Sequence, residues 1–235
     1  MEFAQTLQYL SIVALPFTIA VSFHEAAHGY VANRLGDPTA RLLGRLTLNP
    51  LRHIDLFGTI LLPLILVISH AGIIFGYAKP VPVNIFNLRN PKRDMMWVAA
   101  AGPAGNLLLA FASGLLMRII LLVRPELLDL ANAGGNLFAR GGVAASVMVP
   151  LVLMIQISIL INVILGVFNL IPIPPLDGGK ILMGIMPEEK ARLLAKIEPF
   201  GFLIIVGLIV VNPFGVSTHW IFGFMEYLVR LFSFS

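Results

Sequence analysis

The 235-residue chain is 58% hydrophobic and only 12% charged, with a formal net charge of +4 and a mean hydropathy of +0.91. Soluble domains carry roughly a quarter of charged residues, so lipid is the solvent here and an integral membrane protein is expected. The absence of cysteine excludes disulfides, iron–sulfur clusters and thiolate metal sites, leaving His, Asp and Glu to hold any transition metal. Lys and Arg sit in the loops between apolar runs, a pattern of anchoring beside anionic lipid that gives no reason to expect a nucleic-acid partner.

Five apolar regions are candidates for membrane segments: Leu7 to Tyr30, Leu56 to Phe75, Met95 to Val123, Val143 to Leu170 and Phe200 to Phe234. The N-terminus lacks the basic start of a secretory signal peptide, so the first region is read as a retained span. Between the first two regions, Ala40 to Leu48 alternates loosely and suggests a short β-hairpin at the membrane surface. The stretch YAKPVPVNIFNLRNP after the second is extended, because its prolines exclude helix. Gly and Asn at 132–136, with Gly141-Gly142, mark a turn before the fourth region. Lys180 to Lys196 reads as an amphipathic helix interrupted by Pro187, and Asn212-Pro213-Phe214-Gly215 breaks the last region. No loop reaches the size of a soluble domain. The expected fold is an all-α polytopic membrane bundle of about 4–6 transmembrane helices, with a re-entrant segment and a small β element at the cytoplasmic face. It forms one membrane-embedded domain over 1–235, with a core at about 7–180 and C-terminal membrane segments at about 198–234.

His24-Glu25-Ala26-Ala27-His28 is an HExxH pattern on the first region. Residues four apart share a helix face, so both imidazoles can hold one zinc ion, with Glu25 placed to act as general base. Five residues match by chance in unrelated chains, and a structural histidine pair is the alternative. Ionisable groups inside a membrane helix are costly, about 2.5–3.5 kcal/mol for one central charge, which favours a function. Zinc hydrolases use three protein ligands and leave a fourth position for water. Asp177 is the best third candidate: it follows an apolar helix, Pro172, Pro174 and Pro175 force an irregular path, and Gly178 and Gly179 permit close backbone approach. Taken alone, the same stretch also reads as an interfacial turn. Asp37, His53, Asp55, His70 and His219 are weaker candidates, with surface or interface placement expected.

These residues resemble the site-2 protease family of intramembrane zinc metalloproteases. HEAAH on the first region, AGPAGN (Ala101 to Asn106) on the third and FNLIPIPPLDGG after the fourth carry the resemblance together. It implies that His24, His28 and Asp177 ligate one Zn2+ per chain, that Glu25 is catalytic and activates water, and that Asn169 helps hold the substrate or the transition-state oxyanion. No loop is long enough for a PDZ domain, so the compact branch of the family is the nearer match. The small residues Gly102, Ala104 and Gly105 equally suit close helix packing, with Asn106 a hydrogen-bonding partner in the core.

For His24 and Asp177 to meet, the first and fourth regions must run parallel. His24 lies about 26 Å along the helix from Leu7, near the far side of a hydrocarbon core of about 30 Å. Four full crossings would separate the ligands, whereas a re-entrant Leu56 to Phe75, bent at Gly58, Pro63 and Gly72, brings them together. Charge agrees. Arg34, Arg41, Arg45 and Arg52 precede this region, and Lys79, Arg89, Lys92 and Arg93 follow it. Re-entrance puts both clusters on the cytoplasmic face with Lys180, Lys190, Arg192 and Lys196, opposite only Arg118, Arg124 and Arg140.

The expected activity is zinc-dependent hydrolysis of a peptide bond in or near a transmembrane segment of a membrane-protein substrate. The extended stretches Ala40 to Leu48 and Val81 to Ile85 would bind the unwound peptide by strand addition. The expected location is the plasma membrane of a prokaryote, with the active site towards the cytoplasm. An ion transporter or a non-catalytic membrane binding protein using the same His and Asp residues is the alternative.

Overall fold

The computed structural model describes residues 3–53, 55–69, 79–132, 137–201, 203–204, 207 and 217–233. Every regular element among them is helical. In chain order these are α1 (Phe3–Arg34), α2 (Thr39–Leu42), a 3-10 turn (Pro50–Arg52), a π-helical turn (Leu56–Leu61) running into α3 (Leu62–Ile68), a 3-10 turn (Ile85–Asn87) inside the stretch expected to be extended, α4 (Pro91–Val123), α5 (Glu126–Asn132), α6 (Leu137–Asn169), α7 (Asp177–Ile185), α8 (Glu188–Ala195), a 3-10 turn (Glu198–Phe200) and α9 (Ser217–Ser233). Among the described residues three segments are long and apolar enough to cross a membrane: Leu10–Arg34, Pro91–Val123 and Ser146–Asn169. Apolar side chains such as Leu108, Leu116, Ile119 and Leu122 stay exposed along α4, as a lipid-facing helix requires. A count of four to six spans depends on residues around 70–78 and 208–216, outside the described set, as are His70, Gly72 and the Asn212–Gly215 break.

The chain divides into two compact units. The first comprises Met1–Ala20, Asn106–Asn169 and Leu203–Ser235. On α6 a stripe at helical spacing (Ile155, Ile159, Val163, Val167) packs with Ala110 and Met117 of α4 and Met225 of α9. The next turns of the stripe, Val149 and Val152, close over Leu127 of α5. Polar groups inside this core are paired. Asn106 donates to the Ala20 carbonyl at 3.1 Å and to Asn162 Oδ1 at 2.8 Å, while Asn162 donates to the Ser158 carbonyl at 2.8 Å. Asn106 is thus the hydrogen-bonding core residue expected of AGPAGN.

The second unit comprises Val21–Gly105 and Leu170–Phe202. Here α1 ends at Gly36, whose φ of +114° is open to glycine. The Asp37 N–H then returns to the Ala32 carbonyl at 2.9 Å, the long-range bond of a Schellman ending. Ala32, Leu88 and Val98 form the apolar core beneath that turn.

Two expectations need correction. No strand exists among the described residues, and the stretch Ala40 to Leu48 begins in α2 and turns at Gly44, whose φ is +64°. The apparent alternation there reflects a turn with a one-sided apolar contact, since Ala40 is buried while Leu42, Leu43 and Leu48 are exposed. Gly141-Gly142, expected in a turn, lies inside α6. Glycine costs about 1 kcal/mol in a helix, less than leaving backbone groups unpaired in lipid. Pro187 does separate α7 from α8, as its position suggested.

Candidate metal centre

His24 and His28 sit one turn apart near the C-terminal end of α1, their rings edge to face with centroids 4.6 Å apart. Asp177 opens α7, immediately after the proline-rich loop. Three prolines deny that loop a helix, and it closes by short-range bonds, Ile173 N–H to Ile171 at 2.8 Å and Leu176 N–H to Ile173 at 3.0 Å. The two glycines after Asp177 let α7 start against this loop. A Cβ on Gly178 would stand 2.3 Å from the Leu170 carbonyl oxygen, and one on Gly179 2.4 Å from Pro174 N. At its other end α7 is fastened to α4, where Lys92 donates to the Met186 carbonyl at 2.5 Å and lies 3.5 Å from Glu188.

The result is convergence of three donor atoms. Asp177 Oδ2 is 3.1 Å from His24 Nε2 and 3.3 Å from His28 Nε2, and the two Nε2 atoms are 3.0 Å apart. Ligand bonds of about 2.0–2.1 Å in a tetrahedral site put donors about 3.3 Å apart along each edge. His28 Nδ1 donates to the Val98 carbonyl at 2.6 Å. A carbonyl only accepts, so the proton is on Nδ1 and the Nε2 lone pair faces the other two donors. Two imidazole nitrogens and a carboxylate oxygen that lie this close together could hold a metal ion, and a divalent cation such as zinc fits the set in type and spacing. Among the described residues this is the group of His, Asp and Glu side chains arranged to hold a metal ion.

One face of α4 backs the imidazoles. Val98 supplies the carbonyl, and Gly102, one turn on, supplies space: a Cβ there would lie 2.4 Å from His28 Nε2 and 2.6 Å from His24 Cε1. Close packing alone therefore understates Gly102. Glu25, half-buried beside His24, accepts from the Val81 N–H through Oε2 at 2.6 Å.

The other sequence candidates lie elsewhere. Asp37 is buried, not at the surface as expected. It accepts from the Asn84 N–H at 2.7 Å, Asn87 Nδ2 at 2.9 Å, the Thr39 N–H at 3.1 Å and the Thr39 hydroxyl, and so ties the end of α1 to the segment before α4. Burial pushes its carboxyl up, but these hydrogen bonds outweigh burial and hold it below the usual carboxylate value. His53 is also buried, its Nε2 2.8 Å from the Thr47 carbonyl. Both departures follow from loop backbone that needs internal partners once it is covered. Asp55 caps the π-helical turn by accepting from the Gly58 N–H at 2.8 Å. His219 lies on α9. Asn169 ends α6, with Nδ2 donating to the Leu165 carbonyl at 2.9 Å. Sequence reasoning missed the Val98 carbonyl and gave Gly102 and Val81 other roles, close packing and strand addition, because their contacts with the site are long-range. Asp37-Pro38-Thr39 did carry a local signal, the Asx turn in which Asp accepts from the N–H two residues on.

The family model described as Peptidase family M50 matches residues 12–211. "Putative zinc metalloprotease YwhC" of Bacillus subtilis (strain 168) is 36% identical over 217 residues, 90% of this chain and 88% of its own. "Putative zinc metalloprotease Rip2" of Mycolicibacterium smegmatis is 30% identical over 232 residues, 94% of this chain and 79% of its own. Its namesake in Mycobacterium tuberculosis (strain H37Rv) is 29% identical over 233 residues, 98% of this chain and 78% of its own. No solved structure matches significantly.

Proposed function

The chain belongs to peptidase family M50, the site-2 protease family, and we propose that it is a zinc-dependent intramembrane endopeptidase cutting in or near transmembrane segments of membrane proteins. One observation carries the proposal: His24, His28 and Asp177 converge donor atoms at the edge lengths of a tetrahedral site, with a carboxylate on the neighbouring residue. Zinc held by these three residues would polarise the scissile carbonyl and bring the pKa of water towards ~7. Glu25 takes the proton of the attacking water at Oε1, since Oε2 is engaged by Val81, and passes it to the leaving amine. Asn169 has a second Nδ2 hydrogen, beyond the one given to Leu165, with which to hold substrate or oxyanion.

A helical substrate must unwind before its carbonyl can be attacked, and strand addition would hold the unwound form. Of the two stretches, Val81 to Ile85 is non-helical over 81–84, with Ile85 opening a 3-10 turn, while Thr39–Leu42 is helix. The strand-addition role therefore narrows to 81–84, through main-chain groups other than the Val81 and Asn84 N–H groups, which Glu25 and Asp37 already occupy.

Re-entrance of Leu56 to Phe75 remains part of the proposal. Gly58, Pro63 and the charge distribution of the flanking segments support it. With Leu56 to Phe75 not crossing, the two spans that carry His24 and lead to Asp177 run parallel, as a shared metal site requires. The N-terminus is then outside and the zinc lies in the cytoplasmic portion of the membrane. The bacterial relatives support a prokaryotic plasma membrane.

The test uses purified protein reconstituted with a pool of single-span peptides bearing helix-weakening Asn, Gly or Pro residues. Wild type should cleave members of the pool. Glu25→Gln should keep its zinc and lose about 10²–10⁴-fold in rate, and Asp177→Ala should lose the zinc itself. A Glu25→Gln protein that cuts normally with zinc bound would refute the mechanism and return the site to ion transport or binding.

A further inference from the structure

We propose that the main-chain N–H of Val81 is the positioning group for Glu25, fixing one carboxylate oxygen so that the other is free for proton transfer; this rests on Glu25 being the general base.

The local sequence isolates that donor. In Lys79-Pro80-Val81-Pro82-Val83 the residues at 80 and 82 have no N–H, and each proline drives the residue before it into extended backbone. Across 80–82, Val81 therefore offers the single main-chain donor, with its direction preset by its neighbours. That donor meets Glu25 Oε2 at 2.6 Å.

A second contact holds the segment in place. The Val81 side chain is buried, and its Cγ1 occupies the notch at Gly29, where a Cβ would come within 3.0 Å. Gly29 is one turn beyond Glu25 on α1, so the two share a helix face. Val81 thus grips that face twice, through its N–H at Glu25 and through its side chain at Gly29. Ala40 Cβ, 3.2 Å from the same point, also lines the notch.

The chemistry suits the task. Glutamate has three rotatable bonds, and a base that must sample them spends little time aimed at water. A peptide N–H orients the carboxylate and occupies only one oxygen.

Two measurements test the assignment. Incorporating α-hydroxyisovaleric acid at position 81 replaces the N–H by an ester oxygen while keeping the side chain and both prolines. With the best-cleaved peptide of the pool, kcat should fall about 10–100-fold, with KM and zinc content unchanged. An unchanged kcat overturns the proposal, and so does a loss confined to KM, which would make Val81 a substrate contact. The second readout needs no activity. Labelling proline carbonyls with ¹³C and valine nitrogens with ¹⁵N selects the two Pro–Val bonds of the chain, Pro80–Val81 and Pro82–Val83. The Val81 amide proton should lie far downfield and move upfield in Glu25→Ala, while Val83 stays. A stationary Val81 signal overturns the proposal. A moving signal in a wild type that cleaves nothing upholds the contact and sinks the protease reading instead.

Discussion

Gly102→Ala is the sharpest mutational test of how the metal centre is supported. The new Cβ would stand 2.4 Å from His28 Nε2, 2.5 Å from His28 Cε1 and 2.6 Å from His24 Cε1. Ordinary contact begins near about 3.5 Å, so something must retreat by about 1 Å. Ligand positions tolerate about 0.2 Å, so moving the rings spoils the site. Moving α4 instead pulls the Val98 carbonyl from His28 Nδ1, a bond of 2.6 Å, and frees the ring to turn. Either route should weaken zinc binding by about 10–100-fold, the effect of losing outer support of a ligand, and overpacking should destabilise the fold by about 1–3 kcal/mol. Chelator competition on purified protein measures the affinity, with thermal unfolding recorded in parallel. Gly105→Ala, in the same AGPAGN motif, is the control. Its Cβ would meet Ala27 and Phe23 at 3.3 Å, which a few tenths of an ångström relieve, so zinc affinity should change by less than about 3-fold. Equal zinc affinity in Gly102→Ala and wild type refutes the reasoning. Equal losses in both variants would reduce Gly102 to a packing residue.

Asp37→Ala leaves the N–H groups of Asn84 and Thr39 without their carboxylate, and should cost about 2–4 kcal/mol in denaturant unfolding. Because the folded Asp37 titrates below its reference value of 3.8, its stabilisation is complete above that value and disappears as pH falls through the lower folded one. Acid unfolding of Asp37→Asn should lack this component, and an identical acid profile would contradict it. Single cysteines at Gly36 and Lys79 should label from the same, cytoplasmic side, with one at Asn136 opposite; opposite sides for the first two exclude re-entrance.

What could be read from the sequence was chemistry whose partners are local. His24 and His28 reveal themselves because four residues make one helical turn, and Pro187 reveals the break between α7 and α8 because proline acts on its own backbone. The pairings that complete the site have no such period. Glu25 meets Val81 across 56 positions and His28 meets Val98 across 70. The acceptor on Val98 and the donor on Val81 belong to the main chain, which every valine has, so residue type carries no trace of them. Asp37 shows the same limit. An acidic residue before proline is expected in a surface turn, and the turn is there, but its four donors come partly from residues 84 and 87, which bury it. Gly102 and Gly105 look alike in AGPAGN, and both suit close packing in a membrane. Only tertiary contact separates them, by putting the imidazoles of His24 and His28 against one and an alanine and a phenylalanine against the other. A small-residue motif near an HExxH helix is therefore evidence of close approach, and the identity of what approaches decides whether it supports packing or metal binding.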